Sequence, residues 1–165
     1  MAQRGSIGLL SQTLSPSPTV RWILPARIRS KSQNDVVFVG ENFVQLREAL
    51  PGGYLSDVNA KLALGAGILA AKVISAKLEL VPIVEQILNQ TREGERERYT
   101  IKGREIDEET PPQIVLLTLA TNDLVFLFAK DFALGKTRFV YAKKPFLRNV
   151  SLAERFGAYI AVDPE

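Results

Sequence analysis

The sequence predicts an all-β fold of antiparallel meanders with a long inserted loop, and three observations carry that expectation. First, Asn34-Asp35-Val36-Val37-Phe38-Val39 returns 88 residues later as Asn122-Asp123-Leu124-Val125-Phe126-Leu127, each copy a polar pair opening a strand-sized apolar run. A recurring strand-plus-partner unit marks repeat architectures, in which no unit buries its own face alone. Second, Ile114 to Leu119 and Leu124 to Phe128 flank Ala120-Thr121-Asn122-Asp123, whose residue types suit a hairpin turn. Third, β-branched and aromatic residues are grouped in short runs bounded by Gly, Pro, Asn and Asp, with little helical periodicity between them.

In chain order, residues 1–18 are Ser-, Gln-, Gly- and Pro-rich and read as a disordered tail, with Ser15-Pro16-Ser17-Pro18 as linker. Residues 19–165 then form one partial domain. Val20 to Ile28 is a strand interrupted at Pro25, hence an edge or a bulge. Asp35 to Val39 is nearly continuous in apolar residues, as a strand buried on both faces should be. Gly40-Glu41-Asn42 turns it into the antiparallel return Phe43 to Glu48, and Pro51-Gly52-Gly53 closes that hairpin. Ile68 to Leu80 is ambiguous between helix and strand, and its β-branched residues tip it towards strand. Ile83 to Leu88 has room for one or two helical turns. Arg92 to Arg98 is a charge run, and Ile106 to Pro112 is acidic and ends in a double proline, so residues 82–112 read as an insertion. Beyond the strong hairpin, Thr137 to Ala142 adds a third strand after the Leu134-Gly135 turn, completing a meander. Phe156 to Glu165 begins a further strand and ends at a turn signal.

Composition narrows the function classes. Of 165 residues, 46% are hydrophobic and 24% charged, an ordinary globular balance, and no apolar run is long enough for a membrane-spanning helix. There is no cysteine and no histidine, which removes disulfides, thiolate metal sites, the commonest zinc ligand and the commonest general base. The sequence therefore offers no catalytic residue, no metal site and no cofactor site. The net charge of +3 is uneven, because residues 1–34 hold five basic side chains and no acid. An acid-free, Ser- and Arg-rich start also fits a mitochondrial transit peptide as an alternative location.

Three motifs imitate active sites. Gly65-Ala66-Gly67-Ile68-Leu69-Ala70 copies the dinucleotide fingerprint, but Asp57 to Leu62 before it is too polar for a central parallel strand and no helix pattern follows. It reads as a turn before a strand. Gly135-Lys136-Thr137 copies the tail of a phosphate loop, yet Lys130 stands where the first glycine belongs and strand residues follow. Asp107, Glu108 and Glu109 form a solvated acidic loop, and Ser11, Ser30 and Ser151 have no histidine to activate them. The remaining candidate is basic: Arg21, Trp22, Arg27, Arg29 and Lys31 could bind nucleic acid, with Arg27 and Arg29 sharing a strand face and Trp22 stacking on a base.

The order of segments resembles the first β-propeller of a large scaffold family. That family contains the damaged-DNA-binding protein large subunit, the cleavage and polyadenylation specificity factor large subunit and the propeller subunit of splicing factor 3b. The resemblance rests on Ser17-Pro18-Thr19-Val20, on Asn34 to Val39 with its return Phe43 to Leu46, and on Leu124 to Phe128. Arg138-Phe139-Val140-Tyr141 and the terminal Ile160-Ala161-Val162-Asp163-Pro164 continue it. The insertion at 82–112 and the long tail depart from better-known members and look like a fungal-type variant. The resemblance implies the opening blades of an incomplete β-propeller, and a non-enzymatic scaffold in the nucleus. Its implied partners are protein subunits of a multisubunit complex in DNA repair and ubiquitin ligation or in pre-mRNA processing. Nucleic acid would be reached through those subunits, and neither a membrane nor a small-molecule substrate is implied. The expectation for the chain itself is a fragment or truncated product of such a scaffold.

Overall fold

The computed structural model describes residues 19–76, 83, 111–132, 135–145 and 157–161. Period-two alternation builds its first sheet, in which β1 (Val20–Ala26), β2 (Asp35–Gly40), β3 (Phe43–Glu48) and β4 (Ala60–Ala63) pair antiparallel in that order. The register sets Leu24, Val37, Leu46 and Ala60 in one row across the sheet, and Trp22, Val39, Val44 and Leu62 in the next. Val37, Val39, Val44 and Leu46 keep no exposed surface, so this is the core face. The other face carries Ile23, Phe38, Gln45, Arg47 and Lys61, and Ile23 is 59% exposed there. Pro25 is accommodated because β1 is an edge, as the sequence predicts, and the irregularity in its pairing lies at Val20–Trp22 instead.

Gly40 is needed at the end of β2, since a Cβ there would stand 1.9 Å from the Phe43 ring folded over the turn. The turn at Pro51–Gly53 also forms, but it returns the chain as β4, which the sequence reading missed. Four residues with Lys61 exposed do not look like a central strand. On an outer antiparallel edge they need only Ala60 and Leu62 turned inward.

The second sheet is β5 (Ile68–Ser75), β6 (Gln113–Leu119), β7 (Asp123–Phe132) and β8 (Lys136–Pro145), again antiparallel in sequence order. The β6–β7 turn is the predicted one, with Asn122 in the left-handed region at φ 58°. The β5–β6 pair continues one step beyond its strands, where the Ala76 N–H donates to the Pro112 carbonyl at 3.0 Å. The expected helical turns from Ile83 to Leu88, the charge run Arg92–Arg98, the acidic group Asp107–Glu109 and the tail 1–18 lie outside the described residues, Ile83 excepted. Both faces of β6 and β7 are largely buried, which explains the unbroken apolar runs.

The strand expected from Phe156 does not form over Gly157–Ala161. Beside Thr118 no ladder is open to it, because both edges of β6 are already taken by β5 and β7. The segment instead lies against the face of the sheet, where the Thr118 hydroxyl donates to the Gly157 carbonyl.

Stacking of the two sheets decides between a sandwich and successive blades. β1 lies beside β5 and β4 beside β8, so like edges match. The chain leaves the last strand of one sheet and enters the first strand of the next through Leu64–Gly67, held where Leu64 donates to Asn42 and Ile68 to Glu41. That is the connection of consecutive propeller blades. The described residues give two such blades, stacked without closing a ring.

This order corrects the repeat. Asn34-Asp35 opens the second strand of its sheet and Asn122-Asp123 the third strand of its own, so the two phrases are not equivalent places. The structural offset runs from Val20 to Ile68, 48 residues, close to the roughly 40–45 of a propeller repeat.

Candidate functional site

The basic segment that follows β1 lies where the two sheets meet, and main-chain bonds place it there. The Arg27 carbonyl accepts from Gln113 N–H at 3.2 Å, and the Ile28 carbonyl from Ala129 N–H at 3.0 Å. Arg27 N–H donates to Gln113 Oε1 at 2.8 Å. Arg27 is exposed and Ile28 fully buried, but the alternation stops there and the next residue is also turned inward.

Arg29 is that residue. Its Nε donates to Asp35 Oδ1 at 2.8 Å, and its terminal nitrogens stand 2.6 Å from Asp35, 2.9 Å from Glu48 and 3.6 Å from Asp131. Its backbone N–H reaches the second Asp35 oxygen at 3.2 Å. Only 4% of the Arg29 side chain and none of the Asp35 side chain is exposed. Asp131 also accepts from Gln33 Nε2 at 3.2 Å and from the Thr137 hydroxyl at 2.6 Å. One guanidinium thus ties β2 and β3 of the first blade to β7 of the second.

Burial works to lower the Arg29 pKa, but hydrogen bonds to Asp35 and Glu48 and the charges of Asp35 and Asp131 outweigh it and raise it. Burial pushes the Asp35 carboxyl above its ordinary range, with Arg29 offsetting part of that. For Asp131, burial is outweighed by the Thr137 and Gln33 hydrogen bonds and by Arg29, so its pKa is lowered.

The five residues singled out by sequence do not converge. Arg21 is exposed, lies 4.6 Å over the Trp22 ring centroid, and donates to the Ile68 carbonyl at 2.9 Å. Trp22 is half-buried against the core rather than presented to solvent. Arg27 is exposed, its Nε donating to Asn34 Oδ1 at 3.2 Å, and Lys31 is exposed. The strand face that Arg27 and Arg29 were expected to share is absent, because β1 ends at Ala26 and Arg29 enters the joint. Sequence reasoning missed Asp35, Glu48 and Asp131. Asp35 carried a signal: a carboxylate opening a strand buried on both faces requires a cationic partner.

The imitating motifs resolve as strands. Gly65 to Gly67 is the crossing between blades, with Gly65 at φ 69°, and it enters a strand rather than a helix. Lys136 and Thr137 begin β8. Among the described residues no group of acidic side chains is placed to hold a metal ion.

The RSE1/DDB1/CPSF1 first beta-propeller family matches the chain over residues 19–165. The chain belongs to this family. None of the curated proteins matches it in sequence. As an RSE1/DDB1/CPSF1-type propeller segment, its two sheets are blades and the Arg29 cluster is the polar pin between them. The residues of the pin are committed to one another and to blade packing. Of the five candidates on this RSE1/DDB1/CPSF1-type surface, Arg21, Arg27 and Lys31 remain exposed.

Proposed function

We propose that the chain acts as a non-enzymatic protein-interaction scaffold in a nuclear complex of DNA repair and ubiquitin ligation or of pre-mRNA processing. The observation that carries this reading is the first-propeller match over residues 19–165. The structure supports it by stacking rigid blades whose turns and rims can serve as contact surfaces. The partners are protein subunits, with nucleic acid reached through them.

The test is fractionation of cells expressing the tagged chain, followed by sizing of its complexes with and without nuclease. Nuclear residence and nuclease-resistant, stoichiometric association with subunits of one such assembly is the expected result. Mitochondrial residence, or a chain that sizes alone in nuclear extract, overturns the proposal. Association lost on nuclease treatment and on charge reversal of Arg21, Arg27 and Lys31 would instead assign direct nucleic-acid binding.

A further inference from the structure

A groove of about 410 Å³ opens at the end of the blade joint, bordered by β1, β2, the end of β3 and the start of β6. Its polar atoms have a fixed sense. Arg27 N–H donates to the Gln113 amide oxygen, and Arg27 Nε donates to the Asn34 amide oxygen. Both partners can only donate, so both amide oxygens are engaged and both NH₂ groups are left as donors. Beside them stand the terminal nitrogens of the Arg27 guanidinium, for which no acceptor stands among the described residues. The rim is therefore donor-rich and positively charged. Asp35 also borders the groove, but both its carboxylate oxygens accept from Arg29 and its side chain has no exposed surface.

The rest of the lining is small and apolar, with Pro25, Val36 and Ala49 on the walls. Among the described residues no aromatic side chain lines it to offer a platform for a base, and the single cation among them is a weak footprint for a nucleic-acid backbone. We infer that this groove binds an acidic peptide segment of a partner protein, its carboxylate held by Arg27 with the Asn34 and Gln113 amides and its flanking aliphatic residues set on Pro25 and Val36. The inference rests on the scaffold reading only for the kind of ligand it names. Planar guanidinium pairing with a carboxylate supplies the specificity.

The probe is the acetylated and amidated pentapeptide Ala-Val-Asp-Val-Ala, titrated into the isotope-labelled full chain. The Arg27 Nε–H signal and the Asn34 and Gln113 side-chain NH₂ signals are followed by NMR. These signals should shift together and saturably, and the Asn-centred pentapeptide should bind about tenfold or more weakly. Arg27→Met should weaken binding by a similar factor. Asn34→Asp should do the same by giving Arg27 an internal carboxylate, and the dispersed amide spectrum shows that each variant remains folded. Absence of saturable shifts, equal binding of the Asn peptide, or undiminished binding by Arg27→Met overturns the inference. So does a thymidine oligonucleotide that moves the three signals at concentrations where the peptide does not. Whether the wild-type chain enters a nuclear assembly is a separate readout, so the groove and the scaffold reading fail independently.

Discussion

The two blades contain the same number of strands and bury them differently. In the first, Val37, Val39, Val44 and Leu46 are fully buried on the core face, while the outer face mixes buried Val36 and Phe43 with exposed Ile23, and Arg47 and Lys61 lie there over the rings of Phe38 and Phe43. In the second, β6 and β7 are covered on both sides, so Ile114 and Val115, neighbours that point to opposite faces, are both fully buried. The Asp131 side chain reaches Arg29 and Gln33, which places its face of β7 against the first blade, and the Thr118 face carries the Gly157 segment. The first blade therefore relies on one fully buried apolar face, a partly covered outer face and a polar pin. The second relies on continuous apolar burial, and its acid at the joint is the more exposed one.

The sharpest way to break this contrast is to remove the pin. Arg29→Met leaves Asp35 buried without its cation, a loss of about 3–5 kcal/mol by analogy with other buried pairs. Set against the roughly 5–15 kcal/mol that hold a domain, that should lower the urea midpoint steeply near neutral pH, followed by circular dichroism. Because burial raises the Asp35 pKa, the orphaned carboxyl should take up a proton readily, and the variant should regain stability relative to wild type as pH falls through that raised pKa. An Arg29→Met chain as stable as wild type at neutral pH would show that the blades are joined by apolar packing alone.

A second comparison uses one residue type in both blades. Phe128 in β7 is 1% exposed, whereas Phe38 in β2 lies half-buried on the outer face with Arg47 5.9 Å above its ring. Phe128→Ala should cost about 3–5 kcal/mol and Phe38→Ala about 1 kcal/mol, the latter from partial burial and an exposed cation–π contact. Equal shifts in the denaturation midpoint would mean that the outer face of the first blade is as well packed as the second blade's interior.

How much of this was legible in the sequence follows from how local each signal is. The hairpins at Gly40–Asn42 and Ala120–Asp123 were readable because turn chemistry and the flanking apolar runs sit within a dozen residues. Pro25 alone narrowed β1 to an edge or a bulge, and the sheet order makes it an edge. β4 was not, because a four-residue strand that buries only Ala60 and Leu62 carries too little pattern. The role of Arg29 was hidden for a different reason: Asp35, Glu48 and Asp131 come from three strands, and only the fold brings them to one guanidinium. Grouping basic residues by proximity in sequence placed Arg27 and Arg29 together. One faces solvent and the other faces the joint. The Asn-Asp phrases misled similarly, since any hairpin strand can open with a turn-forming pair whatever its rank in the sheet.

The smallest expected effect tests the second blade's share of the joint. Asp131 accepts from Thr137 and Gln33 and stands 3.6 Å from Arg29, yet 45% of its side chain is exposed. Solvent screens such a contact, so Asp131→Asn should cost only about 0.5–1 kcal/mol. The pH dependence is more diagnostic than the size. The folded-state pKa of Asp131 lies below its ordinary value of 3.8, as does that of Asp123, where burial is outweighed by Thr121 and Lys143. Their stabilisation is complete above that value and is lost as pH falls through the lower folded-state pKa values. Asp35 is shifted upward and contributes in the opposite sense, fully at low pH and fading as pH rises through its raised value. Acid titrations of wild type and Asp131→Asn should therefore differ in the steepness of stability loss below about pH 4, with the variant flatter. Parallel curves would place the acid-sensitive contact elsewhere and leave the segment joined to the second blade by the main-chain bonds of Arg27 and Ile28.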